Sequence, residues 1–517
     1  MQTVTGGFDT ASKAAIRNVA HKFEVAWDQS YSATFFSIGS STIGSSDIIK
    51  GNGLVPNESD QLSYIDESDY VESIEIDRFF NDPVPSIAKA ALDVVLDNTS
   101  GRFTPNGGSS IQLYLKSGRA MKVELGFNFA GITERVRNFL GINPDFPTWN
   151  DKSSTFSIHA LDLSYALSEV VVPSTILLED YRADQIIELL LGAVGVDSTN
   201  YELSVGQSII PFLLISPGDK IGDIIAKVVQ AEGGLFFSDE TGKFKFWDRN
   251  IWNTAPYNVS QVTITDDMII EQQQPSVNNI VNACEVKSSP RALQDRQPVF
   301  KLASAVEILP GEAYDEWVAF QDPVKDAEVP VRAATSGSTF IGGYDYQDED
   351  GLLSDYLDVE TFDAFTSTAH IVIRNNHTEN SVFLKNLTVW GQPAKVYDTI
   401  DTRAENEDSI TEYGEQLLTI ENDLIQSRDY AYSLAKMIVE DRKDISNYLQ
   451  MTIKGLPQLQ LGDLVTRNST GYNVTRVKTK LTASDGLVQT LTLVRKSIIP
   501  YIRTGVSLIG DADRIAP

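Results

Sequence analysis

The side chains in this 517-residue chain that could do chemistry are few and scattered. Four histidines, His21, His159, His370 and His377, are its whole supply of imidazole, the side chain best placed to act as a base or metal ligand at neutral pH. No HExxH pair occurs, and no histidine spacing suits zinc. His159 stands near Asp162 in an alternating stretch, which reads as a hydrogen-bonded barrel histidine rather than a base. Cys284 is the single cysteine, so no internal disulfide framework exists. It lies in V-N-A-C-E-V, a strand pattern in which a small apolar thiol packs well. A nucleophile there would need a histidine that only the fold could supply.

Phosphate-cradling loops are absent, since neither G-x-x-x-x-G-K-[ST] nor G-x-G-x-x-G is found. The Ser/Gly-rich run 38–46 contains no G-x-S-x-G elbow. The acidic run D-Y-Q-D-E-D-G at 345–351 fails the EF-hand register, which would place Tyr346 at the first ligand and Leu357 at the twelfth. A solvated acidic loop is the default reading there, with a looser carboxylate calcium site as the alternative. With 71 acidic residues, no local pattern singles out a pair for glycoside hydrolysis. The sequence therefore predicts no catalytic, cofactor-binding or metal-ligating residue and no cofactor. Trp317, Phe320, Tyr344 and Tyr346 could stack on sugars, but aromatics in such a region more often serve as core or subunit contacts.

The net charge of −29 argues against a duplex-binding surface, which needs clustered Lys and Arg. It is compatible with a conduit that nucleic acid passes without sticking. No apolar run approaches 18 residues and no charged-then-apolar leader occurs, so neither membrane insertion nor secretion by a signal peptide is expected.

The elements that would position any site are mostly strands. Residues 1–20 read as a leader with a short helical piece at 11–19, followed by a domain over 21–177. The run V-E-S-I-E-I-D-R-F-F at 71–80 alternates, as do Met121, Val123, Leu125 and Phe127. Between them, D-N-T-S-G at 97–101 is a tight turn in which Asn and Asp bond their own backbone and Gly supplies positive φ. Residues 103–105 are expected to leave it extended. Residues 182–194 and 217–232 carry helical apolar stripes, and a hairpin with a D-E-T-G turn follows, giving an α+β subdomain over 178–254. Strands return over 255–300 and 366–500, read as a second barrel, with a helix at 426–441. Residues 301–365 read as an inserted region of strands and loops, and 501–517 as a tail too short for a wall-degrading domain.

Several motifs suggest a family. L-D-N-T-S-G-R-F-T-P with S-G-R-x-M-x-V-x-x-G-F resembles the first barrel of bacteriophage tail hub proteins. Phe139-Leu140-Gly141 and the A-x-D element at Ala160-Leu161-Asp162 stand where the family has them. G-G-x-x-F followed by D-x-x-G-K-x-x-F resembles its second segment. G-L-P-Q-L-Q-L-G-D-L-V at 455–465 resembles its closing G-x-P-x-L-x-x-G-D-x-V. The resemblance implies a mainly β chain with two tube-like antiparallel barrels and α+β insertions. It also implies a homotrimer whose six barrels form a ring ending the tail tube. The implied partners are the tail tube or distal tail protein, the tape-measure protein and tip or fibre proteins, with transient contact with exiting DNA. The implied place is the tail tip or baseplate of a virion assembled in the host cytoplasm, without catalysis. A contractile injection particle's hub, a tail-associated cell-wall hydrolase and a receptor-binding protein stay open as alternatives.

Overall fold

The computed structural model describes residues 1–30, 63–80, 84, 86–105, 108–150, 154–172, 176–273, 280–330, 340–346 and 353–495. The Ser/Gly-rich stretch 37–53, most of the acidic run 345–351 and the tail 501–517 lie outside them. The chain is mainly β, and its largest sheet has 14 strands.

The first half of that sheet comprises β1 (Val19–Ser30), β2 (Ile65–Asp66), β3 (Val71–Phe79), β4 (Lys89–Asp97), β5 (Arg119–Phe129), β6 (Ile132–Ile142) and β7 (Thr155–Asp162), with the short strand Thr148–Asn150 pairing beside β7 off the main path. They lie in the order β3-β4-β7-β6-β5-β1-β2. Alternation decides which face is which. Ile74 and Ile76 of β3, Leu92 and Val94 of β4, and Met121, Val123, Leu125 and Phe127 of β5 all point into one core, while Glu75, Asp77, Lys122 and Glu124 face outward. The two ends of this path, β2 and β3, are separated by residues 67–70 alone. The sheet therefore curls until its edges nearly meet.

The second half comprises β8 (Val262–Thr263), β9 (Ile269–Gln273), β10 (Tyr448–Lys454), β11 (Leu464–Arg467), β12 (Thr470–Thr482) and β13 (Gly486–Arg495). Its order is β9-β10-β13-β12-β11-β8. Ranked by chain position, this is the order of the first half with β1 removed. Even the strand directions agree. β8 runs parallel to β11, and β2 runs parallel to β5 once the intervening β1 is crossed by two antiparallel pairings. A single-turn 3-10 helix, Ser68–Tyr70 in one and Asp266–Met268 in the other, closes each winding. No sequence repeat announces this, because the windings share topology and burial rather than residue identity.

β12 joins the halves. Its first residues pair with β11, and residues 476–482 pair with β3 from Phe79 to Ser73. β12 is long enough, at 13 residues, to serve both.

Several sequence expectations change. The leader is fastened rather than loose. Its helix, α1 (Gly6–Lys13), begins earlier than expected because Thr5 caps it by accepting from the Phe8 amide, and Phe8 packs on Phe127 in the first core. Residues 103–105 turn inward instead of extending. The second sheet half takes only 262–273 and 448–495 from the expected span. Ala283–Ser288 pairs instead with Ile400–Glu405 and Leu417–Glu421. That small sheet packs with α2 (Leu163–Ser168), α3 (Ala183–Ala193), α4 (Ile221–Glu232) and a later helix over 428–442 around one core, which contains Cys284. An alternating run such as V-N-A-C-E-V fits any half-buried sheet, so its period could not say which one. The inserted β region is also larger than 301–365. Strands from 291 to 396 surround a core of their own that includes Ile308, Phe340, Ile371 and Leu384. Within it the chain turns at Asn386, where φ is 54°, between the strands Val382–Lys385 and Thr388–Val396.

Ile76 is fully buried on β3, the strand of the first winding that pairs with β12. Ile76→Ala is expected to cost about 2–4 kcal/mol through lost burial and a residual cavity, read as a lower urea midpoint at unchanged slope.

Candidate functional site

Two of the family-like motifs occupy the same connection in the two windings, that between the third and fourth strands once β1 is set aside: β4 to β5 in the first, β10 to β11 in the second. Each folds an apolar plug over one end of its barrel. In the first, Asn98 organises the turn. Its Oδ1 accepts from the Phe103 amide at 2.8 Å, its Nδ2 donates to Thr104 at 3.0 Å, and Gly101 turns at φ 70°. These bonds swing Phe103 inward, where it is fully buried and stacks on Phe156 at 5.0 Å. Arg102 lies over the plug and donates through Nε and Nη2 to Glu67 at 2.9 and 2.7 Å, while the same carboxylate accepts from Trp27 at 2.9 Å. The motif's polar residues are thus spent on shaping a barrel end.

The second motif is tied to four units at once. Leu456 and Leu459 plug the second barrel. The Pro457 carbonyl accepts from Asn138 of β6 at 2.8 Å, and the Leu459 carbonyl accepts from Arg78 of β3 at 2.9 Å. Gln460 donates to Glu240 of the D-E-T-G hairpin at 2.8 Å, and Glu240 also pairs with Arg78. From the N-terminal segment, Arg17 donates to the Gly455 carbonyl at 2.7 Å, and the Met1 amine pairs with buried Asp463. The turn itself needs glycine. Gly462 sits at φ 79°, and a Cβ there would lie 2.7 Å from the Trp247 ring and 2.9 Å from that of Trp252.

Beside this junction is a cleft of about 50 Å³ lined by Arg78, Asp162, Glu240, Lys245, Trp247 and Tyr257 among others. Its titratable groups are engaged in structure. Asp162 caps α2 by accepting from the Ser164 amide at 2.9 Å, and its other oxygen accepts from the Ala90 amide at 2.5 Å. Burial outweighs those hydrogen bonds and lifts this carboxyl to about 6. Burial likewise draws Arg78 down to about 10 and pushes the Cys284 thiol up to about 12, far from a thiolate nucleophile. Glu232, buried in the α/β core, is raised by the same cause, and it pairs with Arg249 at 3.4 Å.

The four histidines are not brought together. His21 meets the Ser68 carbonyl at 3.3 Å, and His159 pairs with Asp93 at 2.8 Å across two strands, a surface ladder rather than a site. His370 pairs with Asp315, and the amides of Glu379 and Asn380 donate to Nδ1 of His377. Among the described residues no three His, Cys, Asp or Glu side chains group to hold a metal, and no helix is long and apolar enough to cross a membrane. Of the aromatic candidates, Phe320 is buried in the inserted domain's core and Tyr346 packs on Phe383. Trp317 stays exposed.

The outer face of the sheet across the β3–β12 junction carries matched charges. Lys478 pairs with Glu75 at 2.6 Å and Arg476 Nε with Asp77 at 2.9 Å, while Lys22 and Lys122 flank Glu24 at 2.9 and 3.1 Å. The exposed pairs across β3 and β12 each contribute about 0–1 kcal/mol, so they set register more than stability. Sequence reasoning missed this cross-strand matching, whose signal is visible only once β3 and β12 are known to be neighbours.

No protein-family model matches the chain, and no curated protein matches it in sequence. Solved structures do resemble it in fold. A 43 kDa tail protein of prophage MuSo2 from Shewanella oneidensis is 12% identical, over 84% of this chain and 97% of that one, at a TM-score of 0.44. A tail protein from Neisseria meningitidis MC58 is 11% identical, over 84% and 93%, at 0.42. An E. coli component of the type VI secretion system, described as structurally similar to the T4 bacteriophage tail proteins gp27 and gp5, is 8% identical, over 83% and 74%, at 0.34.

Gly462→Ala is expected to lower stability by about 2–4 kcal/mol, through a strained φ and an overpacked tryptophan pair, measurable by urea unfolding. Asp162 predicts a pH dependence. Its folded pKa lies above the unfolded value, so its contribution to stability is complete below about pH 4 and is lost as pH rises through 6, about 3 kcal/mol in all. Unfolding free energies of Asp162→Asn between pH 4 and 7 should show that decline removed. A decline as steep as in the unaltered protein would contradict the assignment.

Proposed function

We propose that this chain is a structural subunit of a phage-type tail, a hub that ends the tail tube and connects it to the tip. One observation carries the reading: two windings whose strand order is the same once β1 is set aside lie side by side in one chain, fused edge to edge through β3 and β12. A chain built this way occupies two consecutive positions of a ring. Three copies supply six barrels, which match a sixfold tube above while presenting threefold symmetry to a tip below. The family resemblance of both barrel-end motifs points the same way.

In this reading the partners are two further copies of the chain, the tail tube or distal tail protein, the tape-measure protein and tip or fibre proteins. The ring's channel passes the tape-measure protein and then DNA, and the net charge of −29 keeps DNA from adhering to it. The reading calls for no catalysis by this chain, in keeping with Cys284 sealed in a core, histidines held by structural partners, and the carboxylates of the cleft beside the junction serving as caps and ion pairs.

Electron microscopy of the purified chain, alone and mixed with its tube protein, tests this. Threefold rings with a central channel and near-sixfold inner features are expected in at least the mixture. Single compact particles under both conditions, or a channel lined mainly by Lys and Arg, would overturn the proposal.

A further inference from the structure

The inserted domain turns one sheet face to solvent whose chemistry differs from the charge ladder of the barrels. Ala313–Ala319, Thr368–Asn375 and Leu357–Ala364 form a three-stranded antiparallel sheet with Thr368–Asn375 in the middle. Alternation sends Ala369, Ile371 and Ile373 into the domain core and leaves His370 on the opposite face. There His370 stands directly between Trp317 on one neighbouring strand and Asp363 on the other. The Trp317 and His370 rings lie parallel within 11°, their centroids 4.7 Å apart, and Phe365 from the hairpin turn adds a third ring 5.8 Å from Trp317 at 25°. Asp315 fixes the imidazole through a 2.8 Å contact with Nε2.

This three-ring stack is ordered by its own contacts and yet left open. Trp317 is 61% exposed and Phe365 51%. A large aromatic left in water gives up the burial free energy that normally draws it inside, and a stacked group of them marks a binding surface. The surroundings choose the ligand. Asp315, held by His370, and Asp363 flank the rings, so an apolar protein partner would have to desolvate two carboxylates to cover them. The same carboxylates repel phosphate, sulfate and nucleic acid. A ligand that suits both features has a flat apolar face for the rings and hydroxyl donors at its rim for the carboxylates.

The geometry points to a binding site for a neutral hexopyranose oligosaccharide on this face, with Trp317 and Phe365 carrying the sugar ring, Asp315 and Asp363 accepting its hydroxyls, and His370 positioning Trp317. The site stands independently of the hub reading. Weak, ring-by-ring recognition of this kind is multiplied when several copies act together.

The test uses the full chain and three neutral tetrasaccharides, those of N-acetylglucosamine, glucose and galactose, with a sulfated tetrasaccharide as the anionic probe, titrated by calorimetry. At least one neutral sugar should bind with a dissociation constant on the order of 0.1–1 mM. Trp317→Ala and, separately, Phe365→Ala should each weaken it about tenfold or more. Both rings are largely exposed, so melting temperatures should stay unchanged, and either variant alone suffices if the other misfolds. Three outcomes would overturn the proposal: no neutral sugar bound at about 10 mM, variants that bind like the unaltered chain, or binding of the sulfated sugar alone. Loss of self-association in Trp317→Ala without any sugar binding would reassign the face to protein contact.

Discussion

A guanidinium removed from water must find its partners inside the protein, and Arg78 finds them on separate units. It leaves β3 of the first winding, donates to the Leu459 carbonyl in the motif that plugs the second, and pairs with Glu240 on the hairpin of the α/β subdomain. Removing any one of these units would strand a buried charge, which costs several kcal/mol. The relative placement of the units is therefore fixed by an electrostatic requirement as well as by strand pairing. The aromatic packing of Trp247, Trp252 and Tyr257 around Gly462 excludes water from the same place and strengthens the effect.

That arrangement recasts what the motifs mean. Asn98, Gly101, Arg102 and Phe103 form a closed set of turn, cap and plug, and Gly455, Pro457, Leu459, Gly462 and Asp463 form another. Each residue type answers to a backbone angle, a close approach or a buried hydrogen bond. None is placed to act on a substrate. The likeness of these motifs to tail hub proteins is thus a likeness of barrel construction, and function has to come from what two such barrels can assemble into.

The strands, helices and turns were largely legible in the sequence because their periods are local. The alternation of β3 and β5, the Gly233 stop after α4 (φ 70°) and the Gly462 turn could all be read directly. Pairing was not legible. The same alternation places 283–288 in either of two sheets, and only the need of the helix over 428–442 to bury Ala431, Leu434 and Ile438 decides it. The doubling of the winding escaped detection for a related reason, since topology leaves no residue signature. At the aromatic site, Trp317 could be singled out from its type, but His370 and Phe365 lie about fifty residues away and join it only through the sheet register.

The junction of the two windings also sets a timetable for synthesis. Asp77 of β3 and Arg476 of β12 are 399 residues apart in sequence, and β9 waits for β10 across the long excursion of 274–447. A ribosome adding roughly 5–20 residues per second leaves the edge of β3 uncovered for about 20–80 seconds after it emerges. During that interval the first barrel presents unpaired backbone groups to any strand it meets. Glu75 and Asp77, which later match Lys478 and Arg476, keep that edge acidic and hydrated in the meantime. The charges that register the finished sheet are then also gatekeepers of the nascent one, delaying pairing until the complementary strand arrives.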